Sequence, residues 1–163
     1  MLVALQVATA TLVAIAMALA LAHALEYPGK MPLPEETYRA VQAIYYPGFT
    51  IGGVAEPLGL LALLALVWLT PRGAAFWLTL AAFVALALMH AIYWLLTHPV
   101  NNFWVEGVHM SAASAGFFRI GAMNEGAGSP DWAVLRDRWE YSHIIRAVVG
   151  LASHVLLVTA IAL

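Results

Sequence analysis

Apolar residues fall along this chain in four long runs, and the polar residues collect between them. The hydrocarbon core of a bilayer is about 30 Å thick and an α-helix rises about 1.5 Å per residue, so about 20 mostly apolar residues are needed to cross it. The runs from about Leu2 to Leu25, Gly48 to Leu69, Ala74 to Thr97 and Tyr141 to Leu163 all meet that requirement. Pro47 precedes the second run, and the turn Thr70-Pro71-Arg72-Gly73 separates the second from the third. Each run is apolar nearly all round, as suits a helix facing lipid. The stretch Met1 to Leu21 lacks a basic n-region and is longer than the roughly 7–15 apolar residues of a secretory leader, which predicts a retained helix.

The segments between the runs are polar enough to sit at the membrane surface. Residues 26–47 begin Pro-rich and then present Pro34-Glu35-Glu36-Thr37, an acidic first turn that predicts a short amphipathic surface helix. Residues 98–140 hold a Gly-rich stretch and then Ser129-Pro130-Asp131, an N-cap followed by proline at the first helical position. The fourth helix is therefore predicted to begin near Pro130, with its first turns, carrying Arg136, Asp137 and Arg138, projecting into water. The expected fold is a single all-α membrane domain over 1–163, a four-transmembrane-helix bundle, without internal repeat or low-complexity tract.

Composition sharpens this picture. A 63 % hydrophobic share far exceeds the roughly 45–50 % of soluble domains, and 163 residues leave room for one domain only. A net charge of −2 with 10 % charged residues supplies no basic field for a nucleic-acid backbone, so that class of partner is excluded. The absence of cysteine removes disulfides, thiolate metal sites, iron–sulfur clusters and cysteine nucleophiles. Lys30 and Arg39 in the first loop and Arg119, Arg136 and Arg138 in the third oppose Arg72 in the second. That bias predicts both termini away from the cytoplasm.

An ionisable side chain within a span costs at least a few kcal/mol, so each is a functional candidate. His23 and Glu26 end the first run on one face, Glu56 sits between Gly53 and Pro57, and His90 lies about two turns from the end of the third run. Glu140 and His143 open the fourth in a Glu-x-x-His spacing, with Arg146, Gly150 and His154 continuing that face. At about 1.5 Å per residue, His23, Glu56, His90 and His143 fall at similar depth on the loop side, in one layer. With Glu26 and Glu140 they make a candidate ligand set for iron, copper, manganese or zinc, partly similar to that of carboxylate di-iron bundles. Such bundles carry two Glu-x-x-His motifs, and here there is one. The competing reading is polar residues bonded across helices or snorkelling to the interface, which suits Glu26, His98, His109 and Glu140 best; His154 would bond a backbone carbonyl. Asn101, within His98-Pro99-Val100-Asn101-Asn102-Phe103-Trp104, is a candidate to orient a ligand at a pocket mouth, although Asn and Pro also simply end helices. Arg146 could clamp an anionic oxygen or pair with Glu140 or Glu56.

The stretch His23-Ala24-Leu25-Glu26-Tyr27-Pro28-Gly29-Lys30, the Pro99-Val100-Asn101 step and the Trp139, His143, Arg146 pattern carry a resemblance over nearly the whole chain. The sequence resembles the anthrone-oxygenase-like family of four-helix integral membrane proteins, and its start is similar to an uncharacterised bacterial branch. The resemblance implies oxygenation of an activated, phenol-like carbon by dioxygen. It leaves open a cofactor-independent route, with His143 as general base and Arg146 stabilising an enolate.

The expected function is thus a membrane oxidoreductase, an oxygenase of a lipophilic aromatic or quinol-like small molecule, with His143, Arg146 and Asn101 as catalytic residues. Two alternatives stand beside it: a binding or assembly subunit of a larger membrane complex, holding haem or pigment, and a proton pathway through Glu56, His90 and His154. Gly52, Gly53, Gly59 and Gly150 mark close helix approach, either within the chain or in a homo-oligomer.

Overall fold

The structure is a computed structural model that describes residues 1–123 and 131–163. Among them the chain is helical and has no strand: α1 (Leu2–Lys30), α2 (Glu35–Gln42), α3 (Gly48–Gly52), α4 (Ala55–Leu69), α5 (Ala74–Ile92), α6 (His98–Trp104), α7 (Ala112–Arg119) and α8 (Trp132–Ala162). A 3-10 turn, Ala43–Tyr45, follows α2, and a π-helical turn, Tyr93–Thr97, joins α5 to α6. Four segments are long and apolar enough to cross a membrane: Leu2–Lys30, Gly48–Leu69, Ala74–Trp104 and Trp132–Ala162. The protein is therefore an all-α four-helix membrane bundle, and the short surface helix of the first loop is α2.

Three boundaries differ from the sequence expectation. The first span continues through Pro28 to Lys30 because Lys30 is buried against the protein rather than released to water. The third does not end at His98-Pro99. The π turn takes up the disruption, Pro99 occupies the first turn of α6 where its missing N–H costs little, and the helix runs on to Trp104. The stretch expected to be loop also contains α7, capped by the Ser111 hydroxyl, which accepts from the Ser114 N–H at 3.2 Å. The fourth helix starts at Trp132 with Asp131 as N-cap; Ser129 and Pro130 lie outside the described residues.

The spans pack as a ring, α1 on α4, α4 on α5, α5 on α8 and α8 on α1. Val13, Ala16, Leu63, Leu86, Met89 and Leu157 fill its axis. Without a hydrophobic force between helices in lipid, small residues and interhelical hydrogen bonds hold such a bundle. A side chain at Gly150 would lie 2.9 Å from Met89 Sδ and 3.4 Å from Met17 Cα, so α1, α5 and α8 meet there within one chain. The Ser153 hydroxyl donates to the Ala82 carbonyl at 2.8 Å, tying α8 to α5.

A second core, built on Tyr38, Val100, Phe103, Trp104, Leu135 and Trp139, joins α2, α6 and the start of α8. Here Arg138 folds back on the protein instead of projecting into water. Pro99 has no N–H to give the Leu95 carbonyl four residues earlier, and the π turn disturbs the next bond. Arg138 fills both gaps, donating from Nη2 to Leu95 O at 2.8 Å and from Nε to Leu96 O at 3.1 Å.

Replacing Arg138 with Ala is expected to lower stability by about 1–2 kcal/mol, the worth of charge-assisted bonds at a partly exposed site. Arg138→Lys should recover only part of the loss, since one ammonium cannot span two carbonyls. Unfolding titrations in detergent micelles measure both.

Candidate functional site

Between the loop-side ends of the four spans lies a cavity of about 370 Å³. Its walls are mostly apolar and aromatic, and the 3-10 turn (through Tyr45), Tyr46 and α7 (Phe117 and Phe118) contribute to them from the loops. His23 from α1, Glu56 from α4, His90 from α5, Asn101 from α6, and His143 and Arg146 from α8 all line it. The residues placed at one depth by sequence therefore face one space, together with Gln42, Trp94 and Trp139.

Glu56 is the hub of their interactions. Its Oε2 accepts from Arg146 Nη2 at 2.6 Å, and its Oε1 lies 3.0 Å from His90 Nδ1. The indole N–H of Trp94 donates to His90 Nε2 at 3.0 Å. An indole nitrogen can only donate, so Nε2 is the acceptor and Nδ1 carries the hydrogen given to Glu56. The result is a directed array, Trp94 to His90 to Glu56, with Arg146 closing it from α8. Of the two pairings open to Arg146, the structure makes the one with Glu56. The guanidinium also lies over the Tyr93 ring, 5.0 Å from its centroid. Among the described residues its Nε has no partner.

His143 and His23 form a second group. Their ring centroids are 4.1 Å apart, and Trp139 packs against both at 4.3 and 4.8 Å. His143 Nδ1 receives only a long 3.4 Å contact from Arg146 Nη1. The Trp139 N–H donates to Asn101 Oδ1 at 2.9 Å, which locks the ring that supports both histidines. Asn101 is thus tied to Trp139 from a helix, where a pocket-mouth loop was expected.

The third group lies toward the surface. Glu140 is fully buried and not near water as expected; it pairs with Lys30 at 3.0 Å and accepts from Tyr38 at 2.8 Å. Glu26 accepts from Tyr45 and lies 3.6 Å from Lys30 and 3.8 Å from His23 Nδ1. Burial, then the adjacent Glu140 charge, raises the Tyr38 phenol above its ordinary range, and burial with the Glu26 hydrogen bond does the same for Tyr45. Both phenols remain O–H donors. His98 is buried as well, with Nδ1 3.0 Å from the Tyr93 hydroxyl, and His154 Nδ1 is buried without a partner, not bonded to a carbonyl.

The six residues expected to bind a metal, His23, Glu26, Glu56, His90, Glu140 and His143, do not converge. Among the described residues no three His, Asp or Glu side chains group as a ligand set. Both His90 nitrogens are engaged, a guanidinium lies against Glu56, and Lys30 lies between Glu26 and Glu140. Equal depth brought these side chains to one layer, where Arg146 pairs with Glu56 and Lys30 with Glu26 and Glu140. Lys30, Tyr38, Tyr45 and Trp94 were not among the expected site residues. The spacing of Glu26 and Lys30, one helical turn, was the available signal for the first.

Removing one partner of the buried ion pair leaves the other charge uncompensated. Glu56→Ala is expected to destabilise the protein by about 3–5 kcal/mol, and the double change Glu56→Leu with Arg146→Leu by clearly less than the two single changes summed. Thermal unfolding of the four proteins in one detergent reads this directly. Elemental analysis of protein purified without added metal is expected to find no stoichiometric transition metal; near-stoichiometric iron, copper, manganese or zinc would require a different arrangement of the six residues.

Comparison of the chain with protein-family models, with curated proteins and with solved structures finds no match, so the functional argument rests on the site itself.

Proposed function

We propose that the protein is a membrane oxygenase acting on a lipophilic aromatic or quinol-like molecule, by a route in which this chain's own residues handle the proton and the developing negative charge. The observation that carries the reading is Arg146, aligned by Glu56 beside His143 within a cavity lined largely by aromatic side chains. Such walls suit a flat apolar ring, and a cavity of this size falls in the range of small-molecule sites.

The substrate class is a ring carbon bearing acidic hydrogens and conjugated to a ring oxygen. His143 Nδ1 keeps a lone pair for the first C–H proton, since its one contact is long. As that proton leaves, charge moves onto the ring oxygen, where Arg146 stabilises it in a site of low dielectric. Dioxygen then takes electrons from the carbanion and bonds to the carbon as a peroxide, which the His143 proton neutralises. Loss of the second C–H proton expels hydroxide, and the two combine as water. In sum a CH2 group and O2 become a carbonyl and water: the carbon gives up four electrons, one oxygen atom stays on it and the other leaves in water.

The basic residues Lys30, Arg39, Arg119, Arg136 and Arg138, set against Arg72, support a cytoplasmic-side site with both termini opposite, and the resemblance of His23 to Lys30 to a bacterial branch supports a bacterial inner membrane.

Protein in lipid nanodiscs supplied with anthrone should consume one O2 for each ketone formed. His143→Ala should slow turnover by about 100-fold or more, the usual weight of a general base, and His90→Ala should also lower it by releasing Glu56 and Arg146. Circular dichroism and gel filtration establish that the variants are folded. Absence of oxygen uptake, or unchanged turnover in both folded variants, would overturn the reading.

A further inference from the structure

Among the described residues, those that line the cavity and are also exposed lie on its flank, between the second and third spans. Along most of their length the second and third spans are in contact through α4 and α5. At the loop-side end they part. There α3 packs on α1 and on the Ala43–Tyr45 turn, and among the described residues it makes no comparable packing with α5, the π turn or α6. A side chain at Gly52 would lie 2.9 Å from Leu19 Cδ1, so α3 is drawn toward α1 and away from the third span.

The cavity-lining residues that are also exposed stand on the two sides of this gap. Gly53, Val54 and Pro57 belong to the second span, and Trp94 to the third. Val54 is 53 % exposed and Trp94 37 %. All four belong to Gly48–Leu69 or Ala74–Trp104, the segments long and apolar enough to cross a membrane, which supports lipid rather than water outside the gap. The backbone is irregular on both sides: the helix is interrupted at Gly53 and Val54 between α3 and α4, and Trp94 sits in the π turn. Irregular backbone at membrane depth is tolerated where it lines a cavity, and π turns recur at functional sites. The rim is apolar except for the Trp94 N–H, which His90 already occupies.

We propose that this gap is a lateral portal, through which lipophilic aromatic ligands pass from the bilayer into the cavity holding Arg146 and His143. The portal rests on the cavity being the ligand site of the proposed function. It accounts for exposed lining residues that gather at Gly53, Val54, Pro57 and Trp94, while the lining residues Tyr45 and Phe118 are buried.

The chain has no cysteine, so one introduced thiol can be labelled uniquely. Val54→Cys carrying a nitroxide, in nanodiscs, is expected to relax strongly with dissolved oxygen and weakly with a water-soluble nickel chelate. Anthrone should associate more slowly with that labelled protein, by about fivefold or more as read by tryptophan quenching, because an obstacle on an entry route acts on the association rate. The same label at Val158→Cys, on an exposed face of α8 away from the cavity, should leave association unchanged. Nickel access at position 54 equal to that of an aqueous site, or equal association rates for both labelled proteins, would overturn the portal. Failure of anthrone to bind even the unlabelled protein would overturn the proposed function instead, and the oxygen-to-nickel ratio would then decide the portal alone.

Discussion

The 2.6 Å contact between Arg146 and Glu56 is the constraint around which the loop-side half of this bundle is arranged. Two full charges at membrane depth are tolerable only if each compensates the other and the remaining lone pairs and N–H groups are used. Glu56 meets this by taking His90 on its second oxygen, and His90 in turn takes the Trp94 N–H. Arg146 spreads its charge over Glu56, the Tyr93 face and the long contact to His143. Three spans are thereby joined through one carboxylate, and the cavity is the space these groups leave between them.

The same economy operates one layer nearer the surface, where Lys30 lies between Glu140 and Glu26 and the phenols of Tyr38 and Tyr45 complete the two carboxylates. Trp139 links the layers. It packs against both cavity histidines, its N–H holds Asn101, and Lys30 lies 4.7 Å from its ring centroid. Inside this frame the Arg146 guanidinium and the His143 imidazole are held by Glu56 and Trp139, and among the described residues the Arg146 Nε has no partner.

The backbone departs from regular helix where the cavity needs room. Pro99 would leave the Leu95 carbonyl without a donor, and the π turn with Arg138 as its cap converts that defect into a stable widening beside Trp94. Across the gap, the break at Gly53 and Val54 lets α3 lean on α1 while α4 stays in contact with α5. One turn further along α4 and α8 the spans close tightly on Gly59 and Gly150, where an added Cβ would meet Leu86 and Met89.

By itself the sequence determined the number of spans, because bilayer thickness imposes a length that Leu2–Leu25 or Gly48–Leu69 meets and any soluble reading fails. It also determined the common depth of His23, Glu56, His90 and His143, because helical rise converts residue count directly into height. Height, however, says nothing about rotation around each helix axis. Which carboxylate Arg146 would take, whether six acids and histidines would share an ion or separate around Arg146 and Lys30, and how far His98 and Glu140 would be buried depended on how the helices turn toward one another. The continuation of the third span past Pro99 was equally hidden, since the carbonyls left open by Pro99 and by the π turn, Leu95 O and Leu96 O, are taken by Arg138, some forty residues on. Tertiary packing decided these points because each depends on contacts between segments far apart in the chain.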